Sequence, residues 1–130
     1  MSSKVSTGMY QRLDDSDAVV ALAARYFHAM VDADEEAIRE IFDPRALIIG
    51  DWEGGLDFAS VDKFVSGLGD AKTGDKPFEY RVESLTMVGD TAVVTVGNYC
   101  YGYWFTDHLS MMNVDGQWRI VAKTYYAHPP

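Results

Sequence analysis

The chain has 130 residues and a mass of 14.5 kDa, the size of one ordinary domain. Hydrophobic residues make up 48% of it, which excludes a disordered tail or a low-complexity linker. Asp and Glu number 20 against 11 Lys and Arg, a net charge of −9, and no basic cluster is present to neutralise phosphates, so nucleic acid and anionic membrane surfaces are not expected partners.

The charge is unevenly spread. Up to Asp62 there are 13 acidic and 5 basic residues, and from Lys63 onward 7 and 6. The lone Cys100 cannot form an intrachain disulfide. Met1 to Arg12 lacks an apolar segment of the signal-peptide kind. The longest apolar run, Ala18 to Ala24, falls well short of the roughly 18 residues that span a bilayer. These features predict a soluble, cytoplasmic single domain over residues 15–126, after a flexible lead-in (1–14) and before a short tail (127–130).

Ser2, Ser3, Ser6, Thr7 and Gly8 make the lead-in polar. A first helix is predicted from Asp15 or Ser16, with Val19, Ala23, Tyr26, Phe27, Met30 and Val31 on its buried face. Asp34 caps a second helix, with Glu35 and Glu36 where the helix dipole favours negative charge, and Asp43-Pro44 stops it. A short strand over Ala46–Gly50 and another over Leu56–Ala59 flank the turn at Asp51 to Gly55. Ser60 then caps a third helix carrying Val61, Phe64, Val65 and Leu68, closed by Gly69. A polar loop follows from Asp70 to Pro77.

Beyond the loop the period changes from helical to alternating. Strands are predicted over Glu79–Val88, Thr91–Tyr101, Phe105–Val114 and Gln117–Tyr126, joined at Gly89-Asp90, by a wider turn around Gly102, and at Asp115-Gly116. Helices first and a four-strand meander after them make an α+β fold. Long strands on so small a protein should curl, and helices closing one end of a curled sheet enclose a pocket.

Alternation sets the faces. Ala92, Val94 and Val96 share one with Asn98 and Cys100; Val93, Tyr99 and Tyr101 lie on the other. Bulky groups on both faces imply that both are covered, the second by another copy of the chain or else left as a half-exposed aromatic row. On the next strand Asp107, Leu109 and Met111 oppose His108, Ser110 and Met112, so adjacent Asp107 and His108 point apart. On the last strand strict alternation sends Trp118, Ile120 and Ala122 one way and Arg119, Val121, Lys123 and Tyr125 the other.

Arg25-Tyr26-Phe27, Asp32-Ala33-Asp34 and Ile41-Phe42-Asp43-Pro44 resemble the opening of the NTF2-like (nuclear transport factor 2-like) superfamily. Val88-Gly89-Asp90-Thr91 to Val94, Phe105-Thr106-Asp107-His108-Leu109 and Asp115-Gly116-Gln117-Trp118 to Lys123 resemble its lumazine-binding branch. The resemblance implies a cone: a curved antiparallel sheet packed on three N-terminal helices, the NTF2-like or cystatin-like α+β barrel, commonly dimeric through the sheet. It covers isomerases, dehydratases, cyclases and binding proteins, so it does not by itself choose a chemistry.

Ketosteroid-isomerase-like and SnoaL-like members imply cofactor-free proton transfer, by a carboxylate base in an apolar pocket with donors for an enolate oxygen. Tyr26 matches the tyrosine donor and Asp51 falls within about one residue of the base, while Ser110 stands where a second, carboxylic donor is found. Tyr26 reads more often as a core aromatic and Asp51 more readily as an exposed turn carboxylate. His108 titrates near neutrality and suits general acid–base work, or is hydrogen-bonded in the sheet. Lys123 pairs with Asp107 or Asp51, in a structural role or at the ligand. Trp52, Tyr99, Met111, Met112 and Trp118 suit an apolar or flat ligand, with Asn98, Tyr99 and Ser110 as polar groups. Metal ligation is not expected, since His28, His108 and His128 are far apart, and no cofactor loop is present.

Three readings follow. The chain is a small-molecule pocket protein, a proton-transfer enzyme using Asp51, Tyr26 and His108, or a non-catalytic interaction module. The expected partners are a small-molecule ligand and a second copy of the chain.

Overall fold

The computed structural model describes residues 8–68 and 79–129, with side chains described from Asp15. Residues 1–7 of the predicted lead-in (1–14), Gly69 and the polar loop to Pro77 lie outside the described residues. Helix α1 spans Gly8–Asp32, beginning seven residues before the predicted Asp15 cap. Its buried side carries Val19, Leu22, Ala23, Tyr26, Phe27, Ala29 and Met30, spacing that places one continuous stripe against the sheet. The helix ends with Ala33 at a φ of 51°. There the Asp34 N–H donates to the Ala29 carbonyl and the Ala33 N–H to that of Met30, a Schellman closure that occupies the last carbonyls.

Asp34 caps α2 (Glu35–Ile41) by accepting from the Ala37 N–H at 3.1 Å. The chain then passes directly into β1 (Phe42–Trp52), longer than the predicted Ala46–Gly50. Pro44 did not delay the strand because it sits at a register shift between Phe42 and Leu47, where no ladder donor is needed. A turn with positive φ at Glu53 and Gly54 leads to β2 (Gly55–Ser60). Ser60 Oγ accepts from the Lys63 N–H to cap α3 (Val61–Leu68).

The remaining strands are β3 (Glu79–Val88), β4 (Thr91–Cys100), β5 (Tyr103–Val114) and β6 (Gln117–Ala127). The turn around Gly102 is tight rather than wide. Tyr101 and Gly102 both have positive φ, as do Asp115 and Gly116, which matches the twist of antiparallel hairpins. All strands form one six-stranded sheet in the order β2-β1-β6-β5-β4-β3, antiparallel except where β1 runs parallel to β6. Three helices on one face of this sheet make the α+β cone. Between helices and sheet lies the core, including Val19, Tyr26, Ile38, Ile41, Phe42, Ile48, Val94, Leu109 and Ile120. No described helix is long and apolar enough to cross a membrane.

One irregularity decides what the cone contains. Ser110 pairs with Ala122 and Met111 with Ile120, leaving Val121 as an extra residue on β6. This bulge resets the alternation. Trp118 and Ile120 face inward before it, and Lys123, Tyr125 and Ala127 turn from partly exposed neighbours to the inside after it. Strict alternation had separated Lys123 from Trp118 and Ile120; the bulge puts them on one face.

Candidate functional site

The helices and sheet leave between them a cavity of about 550 Å³, within the range that holds small organic ligands. Met30 and Tyr26 from α1, Phe64 and Leu68 from α3, and Trp52, Phe105 and Tyr125 from the sheet supply most of its apolar wall. Trp52 packs against Tyr103 and Phe105 at centroid distances of 4.8 and 5.3 Å. The Tyr101 hydroxyl donates to the Met30 carbonyl, fastening the β4–β5 turn to the end of α1. Burial raises the pKa of this phenol, so it stays a donor.

Polar groups converge on Asp107, which sits on β5 between the apolar Phe105 and Leu109 and is 1% exposed. Its Oδ2 accepts a 2.6 Å hydrogen bond from Tyr26 and a 3.0 Å bond from Asn98 Nδ2, and lies 4.0 Å from Lys123 Nζ. Its Oδ1 is buried without a hydrogen-bond partner among the described residues. Such a buried acceptor is costly to leave unused. Cys100 Sγ donates to Asn98 Oδ1 at 3.4 Å, so the amide is oriented with its N–H toward the carboxylate.

Lys123 is almost fully buried. Its Nζ lies 5.0, 4.8 and 4.9 Å from the ring centres of Tyr26, Phe64 and Tyr125. Those rings offer the negative face of their quadrupoles to an ammonium but replace its water poorly. Desolvation therefore lowers the amine pKa, opposed by the nearby Asp107 and Cys100. Tyr26 moves the other way, raised well above the ordinary phenol by burial first and by Asp107 second, which keeps its O–H in place. Burial pushes the Cys100 thiol up to about 12, away from nucleophilic use near neutrality.

Of the residues singled out in the sequence, Tyr26, Trp52, Asn98 and Lys123 line this cavity. Asp51 does not: it alternates with Gly50, which faces Tyr125 inside, and pairs with Leu56 and Tyr126 on the outer face. His108 is exposed on that same outer face, with Nδ1 2.9 Å from Thr95 Oγ1. Tyr99 packs on Trp104, and Ser110 and Met112 also point outward from the sheet. Trp118 faces inward away from the cavity lining, its Nε1 donating to Asp15 at 3.3 Å. Asp57 and Asp107 both line the cavity, and the buried carboxylate of the two is Asp107, which the sequence had offered only as a partner for Lys123. The signal for it was present: a lone carboxylate on the apolar side of an alternating strand. Among the described residues no group of three His, Cys, Asp or Glu is placed to hold a metal ion.

Residues 14–126 match the protein family described as "Putative lumazine-binding". The chain belongs to this family, within the NTF2-like superfamily. An aldolase, FrzH of Cladobotryum sp, is 30% identical over 115 residues, covering 87% of this chain and 91% of that protein. An NTF-2 like protein from Silicibacter pomeroyi DSS-3 superposes with a TM-score of 0.85 at 32% identity, covering 90% of this chain and 98% of the other. A ketosteroid isomerase-like protein from Erwinia carotovora atroseptica shares the fold at a TM-score of 0.70 and 13% identity, over 88% of this chain and 96% of that one. A shared cone does not fix a shared chemistry, and this member's chemistry is to be argued from its own pocket.

Proposed function

We propose that this NTF2-like protein is an enzyme that binds a small apolar or aromatic carbonyl compound in the cone and moves the proton on the carbon next to the carbonyl, in an aldol-type reaction. The supporting observation is the state of Asp107: Tyr26 and Asn98 both donate to Oδ2, while Oδ1 has no partner among the described residues. Two donors fix the carboxylate, and the remaining oxygen, buried as it stands, has to turn toward a bound substrate to take the proton. The role first given to Asp51 passes to Asp107, because Asp51 and His108 stand on the other side of the sheet. Lys123 lies close enough to the cavity to meet the carbonyl group, while the single O–H of Tyr26 is spent on holding Asp107. The reaction uses side chains alone and needs no cofactor. The aldolase at 30% identity supports the class of reaction.

The test is hydrogen exchange. Phenylacetone incubated with the protein in D2O should lose its α-proton signals by NMR faster than in buffer, and Asp107→Asn should abolish the acceleration. Exchange that persists undiminished in the folded Asp107→Asn variant overturns the reading.

The outer sheet face supports a second reading, of self-association. Leu56 and Phe58 on β2, Leu47 on β1, Tyr126 on β6, Met112 on β5 and Val93 on β4 are all exposed there, Phe58 by 61%. We propose that a second copy of the chain covers this face, and that the unpaired Cys100 belongs to a protein of the cytoplasm. Sedimentation at micromolar concentration should give a dimer, and Phe58→Glu a monomer; a wild-type monomer sinks the idea.

A further inference from the structure

Lys123 is more than a counter-ion to Asp107. At 4.0 Å its Nζ is beyond hydrogen-bond distance of Asp107 Oδ2, so the carboxylate does not tie up the amine. It lies instead in a ring of three aromatic faces, at the wall of a cavity of about 550 Å³ large enough for an organic substrate. A buried lysine used only for structure would gain more from a close, bidentate or multiply hydrogen-bonded pair, because burying an ammonium costs several kcal/mol unless it is well paired. We propose that Lys123 is a catalytic nucleophile that carries the carbonyl substrate as an imine. This rests on the carbonyl chemistry argued above and deepens it.

The step balances. The Nζ lone pair forms a bond to the carbonyl carbon while the C=O π pair moves to oxygen, giving a carbinolamine. Protons from nitrogen and from the surrounding donors leave with that oxygen as water. Overall, the carbonyl compound and the Lys123 ammonium give the iminium and one water, with charge unchanged. The iminium carries the positive charge the ammonium had, and it falls where Asp107 and the faces of Tyr26, Phe64 and Tyr125 already accommodate positive charge. Asp107 Oδ1 then removes the α-proton, the electron pair forming the enamine. The enamine carbon then bonds to the carbonyl carbon of an aldehyde or ketone, whose π pair moves to its oxygen and takes the proton held by Asp107. Water hydrolyses the regenerated iminium to release the product and the Lys123 ammonium. The lowered amine pKa raises the fraction of Lys123 that is unprotonated near neutrality, which nucleophilic attack requires.

Benzoylacetone tests this directly. A 1,3-diketone condenses with a reactive lysine to a stable enaminone and needs no reductant. The expected result is a new ultraviolet band and a mass gain of one diketone less one water, mapped by peptide analysis to Lys123. Lys123→Met should lose the adduct; should that variant not fold, mapping on the wild type still decides between Lys123 and the exposed Lys63. An adduct spread over surface lysines, or none at all, overturns the proposal. The phenylacetone exchange separates the two failures: exchange without an adduct at Lys123 overturns the imine and leaves Asp107 as base, while absence of both overturns both.

Discussion

The phenol of Tyr26 donates to Asp107 across 81 positions of sequence, joining the C-terminal third of α1 to the middle of β5 in a bond of 2.6 Å. Both ends are buried, so the bond is made in a medium where an unpaired partner would find no water. Replacing Tyr26 by Phe keeps the ring, which packs edge-on against Phe42 at 6.2 Å, and removes only the hydroxyl. The expected loss is about 1.5–3 kcal/mol of stability, the range for a hydrogen bond to a charged group. Proton exchange should fall by up to roughly 100-fold, as when a reacting group is no longer held in position. Denaturant titration and the phenylacetone assay read the two effects separately. A Tyr26→Phe protein with unchanged exchange would leave the hydroxyl a structural role alone.

How far these relationships could be read in the sequence depends on their range. Alternation on β4 placed Asn98 and Cys100 on the buried face, because period 2 is set by the backbone itself. Asp34 and Ser60 were recognisable as caps for the same local reason. Lys123 was not placed correctly, since a single extra residue at Val121 inverts the phase and nothing in Arg119 to Lys123 marks it. Asp51 looked like the base because it falls within about one residue of the base in the enzymes the chain resembles, yet which side of β1 it takes is set by the close approach of Gly50 to Tyr125, a contact 75 residues apart in the chain. The site is a meeting of α1, β4, β5 and β6, and only the strand faces, not their meeting, are local properties.

That approach of Gly50 to Tyr125 gives its own prediction. A Cβ at position 50 would fall within the Tyr125 ring, and the ring is held between Phe105 and the Lys123 ammonium. Gly50→Ala should therefore destabilise the protein by about 1–3 kcal/mol through overpacking. It should also move Tyr125 and change the cavity shape. A thermal melt checks the first effect, and benzoylacetone labelling of the variant the second. Unaltered stability would show that the ring has free space to move into.

Acid tests a different corner of the fold. Asp43 accepts from the Arg45 side chain and backbone N–H, which lower its pKa to about 2. The folded pKa is below the unfolded value, so the stabilisation is present above about pH 4 and is lost as pH falls toward 2. Arg45 is 84% exposed, which screens the charge pair and keeps the effect small. Urea midpoints of wild type and Asp43→Asn should differ at pH 6 and converge by pH 2. A constant difference across that interval would assign the effect to the Asn side chain itself.

In alkali the governing group is Lys123. Its folded pKa is lowered by burial, so between that value and the unfolded lysine pKa of about 10.4 the unfolded chain holds a proton that the folded chain has released. Stability contributed by this group therefore rises with pH across the window and is least below the folded pKa. Tyr26 acts in the opposite sense, its raised folded pKa costing stability only above about pH 10, where the unfolded phenol ionises. Lys123→Met removes the first effect and keeps the second. Whatever offset the variant has at pH 7, wild type should gain on it steadily up to pH 9.5 in denaturant midpoints. A difference that stays flat would mean that Lys123 titrates alike in the folded and unfolded chains, and burial among Tyr26, Phe64 and Tyr125 would then not be what sets its reactivity.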